Sequence, residues 1–347
     1  MSSALGPDFG RGRRPTCAGL KLQPNLLTLQ MTPTSPIELP LPDIAPYRQS
    51  NSGVDWVHVL DSGKPGPTVL VQALTHGNEI CGALALAWLI GERAQPLAGR
   101  LVLAFANVEA FSRFDVSAPH ASRFVDEDYN RVWADDALFG ARHSCELRRA
   151  RELQPFVDAA DFILDIHSMH EPCSPIMVCG QVDKNAALAR RIGVPPTILL
   201  DTGHPAGLRM IERGAFGNAS DPRCAVLVEC GQHWELAAET VAVDTLVRFL
   251  GVTGVVDPAW VQARQRVTNV QPQRTVRVTE AVVARSHGFE FLVPPIGLGV
   301  VAKAGTPIAR DGDQVWTAPY DDTVLVMPSL THLRPGNTQV RLGRFVD

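Results

Sequence analysis

The sequence predicts an α/β fold, its sheet mainly parallel and flanked by helices, followed by a smaller β domain. Three observations carry this expectation. First, an apolar run at residues 68–74 leads into a turn at Gly77, a helix-like apolar run at 80–90 and a second strand-like run at 100–108. Strand, helix, strand in that order is a parallel crossover. Second, two later apolar runs stop on residues able to do chemistry: 162–167 (FILDIH) ends on a histidine, and 224–228 runs straight into Glu229. Third, beyond Gly254 and Pro258 the chain changes to short Val-rich runs separated by Gly, Pro and Asp, with no convincing helix. That is the pattern of a small β domain.

The totals narrow the class. A chain of 347 residues has room for about two domains and a large core. We divide it into a poorly ordered tail over 1–40, a catalytic domain over 41–255 and a β domain over 260–347. Hydrophobic content of 45%, charged content of 20% and a net charge of -4 argue against a nucleic-acid partner. No apolar run reaches the roughly 18 residues of a spanning helix, and the start lacks a charged-then-apolar signal. A cytoplasmic enzyme with no membrane partner is expected; a homo-oligomer is compatible with the sequence but not required by it. Seven cysteines without CxxC spacing indicate neither a disulfide framework nor a cysteine zinc site.

In chain order, residues 1–40 are rich in Pro, Ser and Arg without periodicity, and Met31 is a candidate true start. Residues 54–60 alternate as a strand, and 61–67 (DSGKPGP) form a turn. Residues 109–141 show little periodicity. A loop this long inside a compact domain is usually functional, and its centre is SRFVDEDYNRVW at 122–133. Helices are expected at 144–156, 184–192 and 235–250, and further short strands at 176–179, 197–200 and 224–228.

The candidate site starts at the end of the first strand of the crossover. His76 and Glu79, three apart at the start of a helix, can turn toward one point. A neutral imidazole and a carboxylate are two thirds of a zinc set of two histidines and one glutamate, which leaves a fourth position for water. An HxxE spacing alone is more often a surface pair; its place at a strand end, where open α/β sheets bind ligands, brings the two readings level. His167 is the candidate third ligand, because parallel neighbours end side by side whatever their separation in sequence. His170 competes with it but lies beyond the strand end. Glu229 is either the general base or a solvated strand-end carboxylate. Asp165, two residues before His167, reads as a strand-end charge rather than a partner of the histidine. His204, His233 and His287 read as surface or core residues. Arg123, Asn130 and Arg131 could serve an oxyanion and a substrate carboxylate, but by themselves they read as ordinary loop polars.

Four segments then add a resemblance: HGNE at 76–79, SRFVDEDYNR at 122–131, DIH at 165–167 and VECG at 228–231. In that order they resemble the succinylglutamate desuccinylase and aspartoacylase family, over about residues 54–250 and more loosely in the β domain. The resemblance implies a zinc-carboxypeptidase-like catalytic domain with a mixed, mainly parallel sheet. It also implies one zinc ion per chain on His76, Glu79 and His167, with zinc-bound water as the attacking group and Glu229 as general base. Arg123 matches the arginine that polarises the scissile carbonyl, and Asn130 and Arg131 match the pair that grips the substrate's carboxylate.

One departure matters. A further arginine that aspartoacylases carry about ten residues before the catalytic glutamate is Ala219 here, with Arg213 and Arg223 nearby but unaligned. That puts N-acetylaspartate specificity in doubt. The family's C-terminal tyrosine has no clear match, Tyr320 being the nearest candidate. Residues 300–327 are similar to biotinyl and lipoyl carrier barrels but lack a lysine at either hairpin turn, which favours a wall at the site entrance over a carrier. The expected activity is hydrolysis of the amide bond of a small N-acyl amino acid. The rival enzyme reading is a carboxypeptidase-like peptidase, and the rival of another class is a non-catalytic binder on the same scaffold. Cobalt or nickel could take the place of zinc on such ligands.

Overall fold

The computed structural model describes residues 35–203, 206–330 and 334–346. Most of the tail expected over 1–40, together with Met31 and His204, lies outside the described residues. The catalytic part opens with β1 (Val57–Asp61), β2 (Thr68–Ala73), α1 (Ile80–Gly91) and β3 (Arg100–Phe105). Two short helices, α2 (Val108–Phe111) and α3 (Asp135–Leu138), punctuate the long loop before α4 (Cys145–Ala159). There follow β4 (Phe162–Met169), β5 (Ile176–Val178), α5 (Asp183–Ile192), β6 (Thr197–Leu200), β7 (Cys224–Gln232) and α6 (Leu236–Thr253). The C-terminal part has α7 (Pro258–Gln262), β8 (Arg274–Val283), β9 (Glu290–Phe291), β10 (Val300–Val301), β11 (Pro307–Asp311), β12 (Gln314–Thr317), β13 (Thr323–Val326) and β14 (Thr338–Phe345).

The strands of the catalytic part lie in the order β1-β3-β2-β4-β7-β5-β6. Pairing is parallel across β3, β2, β4 and β7 and again between β5 and β6, and antiparallel where β1 meets β3 and β5 meets β7. This is the expected mixed, mainly parallel sheet. Ala73 lies beside Ile166 and Ile166 beside Val228, so β2, β4 and β7 bring their carboxyl ends to one edge.

Alternation along each strand then sorts the side chains. Val69, Val71, Ala73, Leu164, Ile166, Val226 and Val228 pack on one face beneath residues of α1, α5 and α6. On the other face Leu70, Ile163, Ala225 and Leu227 meet Leu147, Ala150, Leu153 and Val157 of α4. Each large apolar side chain buried in this way contributes about 1.5–3 kcal/mol. Asp165, His167 and Glu229 share the parity of Ile163, Ala225 and Leu227, so they stand on the α4 face.

The sheet does not stop where the composition changes. β8 pairs in parallel with β6, from Thr197 beside Arg274 to Leu200 beside Arg277, and β14, β13 and β10 extend the same sheet to eleven strands. Val276, Val278, Val324 and Val326 join the core on the α4 face. β12, β11 and β9 form a separate three-stranded sheet over a second core that includes Phe289, Phe291, Ile308 and Leu342. Among the described residues no helix is long and apolar enough to cross a membrane.

Candidate metal centre and active site

The turn after β2 presents the first two candidate ligands. Leu74 takes a positive φ of 58°, which costs a non-glycine residue roughly 1–2 kcal/mol and reverses the chain at the sheet edge. Gly77 has no room for a side chain, because a Cβ there would sit 2.4 Å from both the Phe111 nitrogen and the Ser122 carbonyl oxygen. That close approach lets Gly77 N–H donate to the Arg123 carbonyl at 3.0 Å. Glu79 occupies the N-cap position of α1, but its carboxylate caps nothing and turns inward.

His76, Glu79 and His167 meet there, all buried, with one ligand atom of each within 4.8 Å of the others. His76 Nδ1 is 2.7 Å from Glu79 Oε1, and His167 Nδ1 is 2.9 Å from Glu79 Oε2. The far nitrogens also face carboxylates: His76 Nε2 is 3.0 Å from Asp128 Oδ1, and His167 Nε2 is 2.7 Å from Asp165 Oδ2. Asp165 is fully buried and also accepts from Thr75 Oγ1 at 2.8 Å, so it is not the strand-end charge expected from its position. Burial disfavours the Glu79 carboxylate, yet the His76 and His167 imidazoles outweigh it and hold the group well below its usual range. Burial likewise opposes charge on His167, but Asp165 and Glu79 raise it well above the usual histidine value.

The long loop is built to deliver Arg123. Its side chain, about one fifth exposed, reaches His76 Nε2 at 2.9 Å and Asp128 Oδ2 at 3.1 Å through Nη2. Glu146 holds this segment from the first turn of α4. Its buried carboxylate accepts the Val125, Asp126 and Glu127 N–H groups at 2.7, 3.1 and 3.2 Å, and Asn107 Nδ2 at 3.0 Å. Tyr129 and Trp133 anchor the loop in the core. Asn130 is buried, with its N–H on Asp128 and its Oδ1 accepting from Met210 N at 3.1 Å. Arg131 Nη1 donates to the Asn130 carbonyl, and burial lowers the guanidinium to about 10.

Glu229 lies beside His167 across β4 and β7 and lines a cavity of about 120 Å³ with His76, Glu79 and Arg123. Its Oε2 is buried without a hydrogen-bond partner, and burial pushes the carboxyl up to about 8. Met327, Pro328 and Ser329 from the C-terminal part line the same cavity. Tyr320 does not: its hydroxyl bonds Thr279 at 2.8 Å on the exposed β surface, so the match offered from sequence is set aside. Ala219 sits on an exposed turn, and the guanidinium groups of Arg213 and Arg223 are taken by Asp158 with Asp135 and by Asp221. His170 lines the same cavity, with its Nδ1 toward His120 and His233.

The donor chemistry fits a zinc-like cation. Two imidazole nitrogens and a buried carboxylate converge, each oxygen of Glu79 faces one Nδ1, and both far nitrogens face a second carboxylate. Sequence reasoning missed Asp128 and Glu146. Only the density of acidic residues around Asn130 hinted at the first, and nothing local marked the second.

Comparison with known proteins bears on the whole. A family model of the succinylglutamate desuccinylase/aspartoacylase catalytic domain matches residues 65–249. Succinylglutamate desuccinylases of Paraburkholderia xenovorans and Burkholderia lata are similar at 27% and 26% identity, over 80% of this chain and 81% and 78% of theirs. A solved succinylglutamate desuccinylase from Vibrio cholerae superposes with a TM-score of 0.60 at 15% identity, over 85% of this chain and 86% of that one. The product-bound ectoine utilization protein of Ruegeria pomeroyi gives 0.57 at 17% identity, over 85% and 92%. The structural likeness speaks for the fold, and the family match takes in more than half of the sequence. The chain therefore belongs to the succinylglutamate desuccinylase/aspartoacylase family of N-acyl amino acid deacylases.

Proposed function

We propose that the protein hydrolyses the amide bond of a small N-acyl amino acid, using one zinc ion per chain held by His76, Glu79 and His167. One observation carries the reading: both Nδ1 atoms face the Glu79 carboxylate while both Nε2 atoms abut buried or half-buried aspartates. Bound zinc supplies a Lewis acid and lowers the pKa of water toward about 7. The remaining work falls to the chain's own residues. Glu229, unpartnered at Oε2, takes in its ionised form a proton from the attacking water and passes it to the leaving nitrogen. The water oxygen bonds to the carbonyl carbon, the carbon–nitrogen bond breaks, and a carboxylate and an amino acid leave.

Arg123 has a role that follows from its position. When His76 commits Nδ1 as a ligand, its hydrogen sits on Nε2 and points to Asp128. Arg123 lines the cavity with Glu229 and would stabilise the carbonyl oxygen as it gains charge. Asn130 and Arg131, which are not among the residues that line the cavity, would receive the substrate's carboxylate on the strength of the motif match. The narrow cavity with its Met327–Ser329 wall disfavours the peptidase alternative, which needs an open groove.

The test is metal analysis together with turnover of N-acetyl, N-succinyl and N-aroyl amino acids. Glu229→Gln should keep its zinc and lose about 10²–10⁴-fold in kcat. A full rate in that variant, or in metal-stripped protein, would overturn the mechanism.

A further inference from the structure

Three histidines outside the proposed catalytic set form a second compact group. His170 Nδ1 lies 2.9 Å from His120 Nδ1 and 3.2 Å from His233 Nε2, and each of the three rings offers a nitrogen within 4.8 Å of the others. A ring nitrogen carries either one hydrogen or one lone pair, so His170 Nδ1 cannot make two well-directed hydrogen bonds at once. One cation satisfies all three nitrogens together. Ligands about 2.0–2.1 Å from a tetrahedral zinc ion stand roughly 3.3 Å apart, and the two measured separations need to change by only a few tenths of an ångström.

We propose that His120 Nδ1, His170 Nδ1 and His233 Nε2 form a second divalent-metal site, suited to zinc or a similar borderline cation. Three imidazoles and an open fourth position make a recognised zinc set. The surroundings prepare the ligands. Ser168 Oγ lies 2.8 Å from His233 Nδ1 and can hold a hydrogen there, which turns the Nε2 lone pair toward the group. The Trp234 ring covers one side, 4.8 Å from His120 and 5.5 Å from His233. Arg123 Nη1 opposes the ion, 3.4 Å from His170 Nε2, a separation too long for a strong donor bond.

The three ligands come from separate places. His120 lies in the turn Pro119–Ser122, three residues before Arg123; His170 follows the end of β4, and His233 the end of β7. An ion there ties the Arg123 loop to the two strand ends that carry His167 and Glu229.

The experiment uses untagged full-length protein, stripped with a chelator, equilibrated with excess Zn²⁺ or Co²⁺ and freed of unbound metal. Metal per chain is counted by mass spectrometry, and the visible spectrum of the cobalt form is recorded. Wild type should hold two ions, and His120→Ala and His120→Asn one each, with unchanged melting behaviour when metal-free. His76→Ala should also hold one, and its cobalt spectrum should equal the difference between wild type and His120→Ala. A single ion in wild type that His76→Ala removes and His120→Ala leaves would overturn the second site and make the trio a hydrogen-bonded stack. Two ions in both wild type and His120→Ala would overturn it as well. A single ion lost only in His120→Ala would instead overturn the proposed catalytic ligand set.

Discussion

Replacing Asp165 by asparagine isolates the claim that His167 is held as a ligand by what lies behind it. The carboxylate uses its two oxygens separately: Oδ2 meets His167 Nε2 at 2.7 Å, and Oδ1 accepts from Thr75 at 2.8 Å and from Gln72 at 3.4 Å. Asparagine has one acceptor oxygen for both tasks. If its amide nitrogen faces His167, the ring must place its hydrogen on Nδ1, the atom that should bind metal. If the amide turns over, the Thr75 hydroxyl loses its acceptor while Thr75 Oγ1 already accepts from Gln72. Either way a charge-assisted bond of about 1.5–3 kcal/mol gives way to a neutral one of about 0.5–1.5 kcal/mol. The expected loss of zinc affinity is 10- to 100-fold, about 1.4–2.7 kcal/mol, in line with the removal of such outer partners elsewhere. Chelator competition at fixed pH measures it, and thermal melting of the metal-free variant checks that the isosteric change leaves the fold intact. An affinity within twofold of wild type would refute the claim that Asp165 sets the His167 tautomer.

Other perturbations probe different parts of the site. Because Asp165 and Glu79 hold His167 well above its usual value, the metal-free ring is charged at neutral pH and must lose a proton to bind zinc. Affinity should therefore rise with pH around neutrality, with protons released on binding in calorimetry across buffers; zero release would contradict this. Glu146→Ala removes the acceptor of three loop N–H groups and should lower stability by about 2 kcal/mol along with kcat/KM, and unchanged kinetics would deny the loop its positioning role. Arg209 is buried against Asp201, at 2.7 and 2.9 Å, and Glu212. Arg209→Met leaves two carboxylates without a counter-charge and should cost about 3–5 kcal/mol in urea unfolding, whereas a loss below about 1 kcal/mol would show that water already screens the pair.

The fold was legible because the catalytic part writes its elements as local patterns. The helix expected at 80–90 is Ile80–Gly91, and the strand expected at 68–74 is Thr68–Ala73. The helix expected at 144–156 begins at Cys145 because Ser144 Oγ accepts from the Leu147 N–H, a cap readable from the sequence itself. Register between distant segments is not written locally. The parallel pairing of β6 with β8 runs across the change in composition at residues 254–258, which no single window reveals. The loop at 109–141 read as irregular, yet Glu146 orders its centre from a helix in the next element, and no periodicity records such a bond.

The candidate site divides along the same line. His76, Glu79 and His167 could be found because each stands at a strand end, and parallel strands end together. The partners behind them could not, because a histidine's role depends on what its second nitrogen meets. Ten histidines look alike in one dimension. His167 lies near the end of β4 and His233 directly after β7, and both are buried, yet one faces Asp165 and is raised, while the other faces a serine hydroxyl and is lowered by burial. That difference comes from Asp165 and Glu79 beside His167 and from burial around His233, surroundings that the sequence does not show until the sheet is assembled. Candidate ligands in this chain therefore follow from position, and their protonation follows from contacts that only the fold supplies.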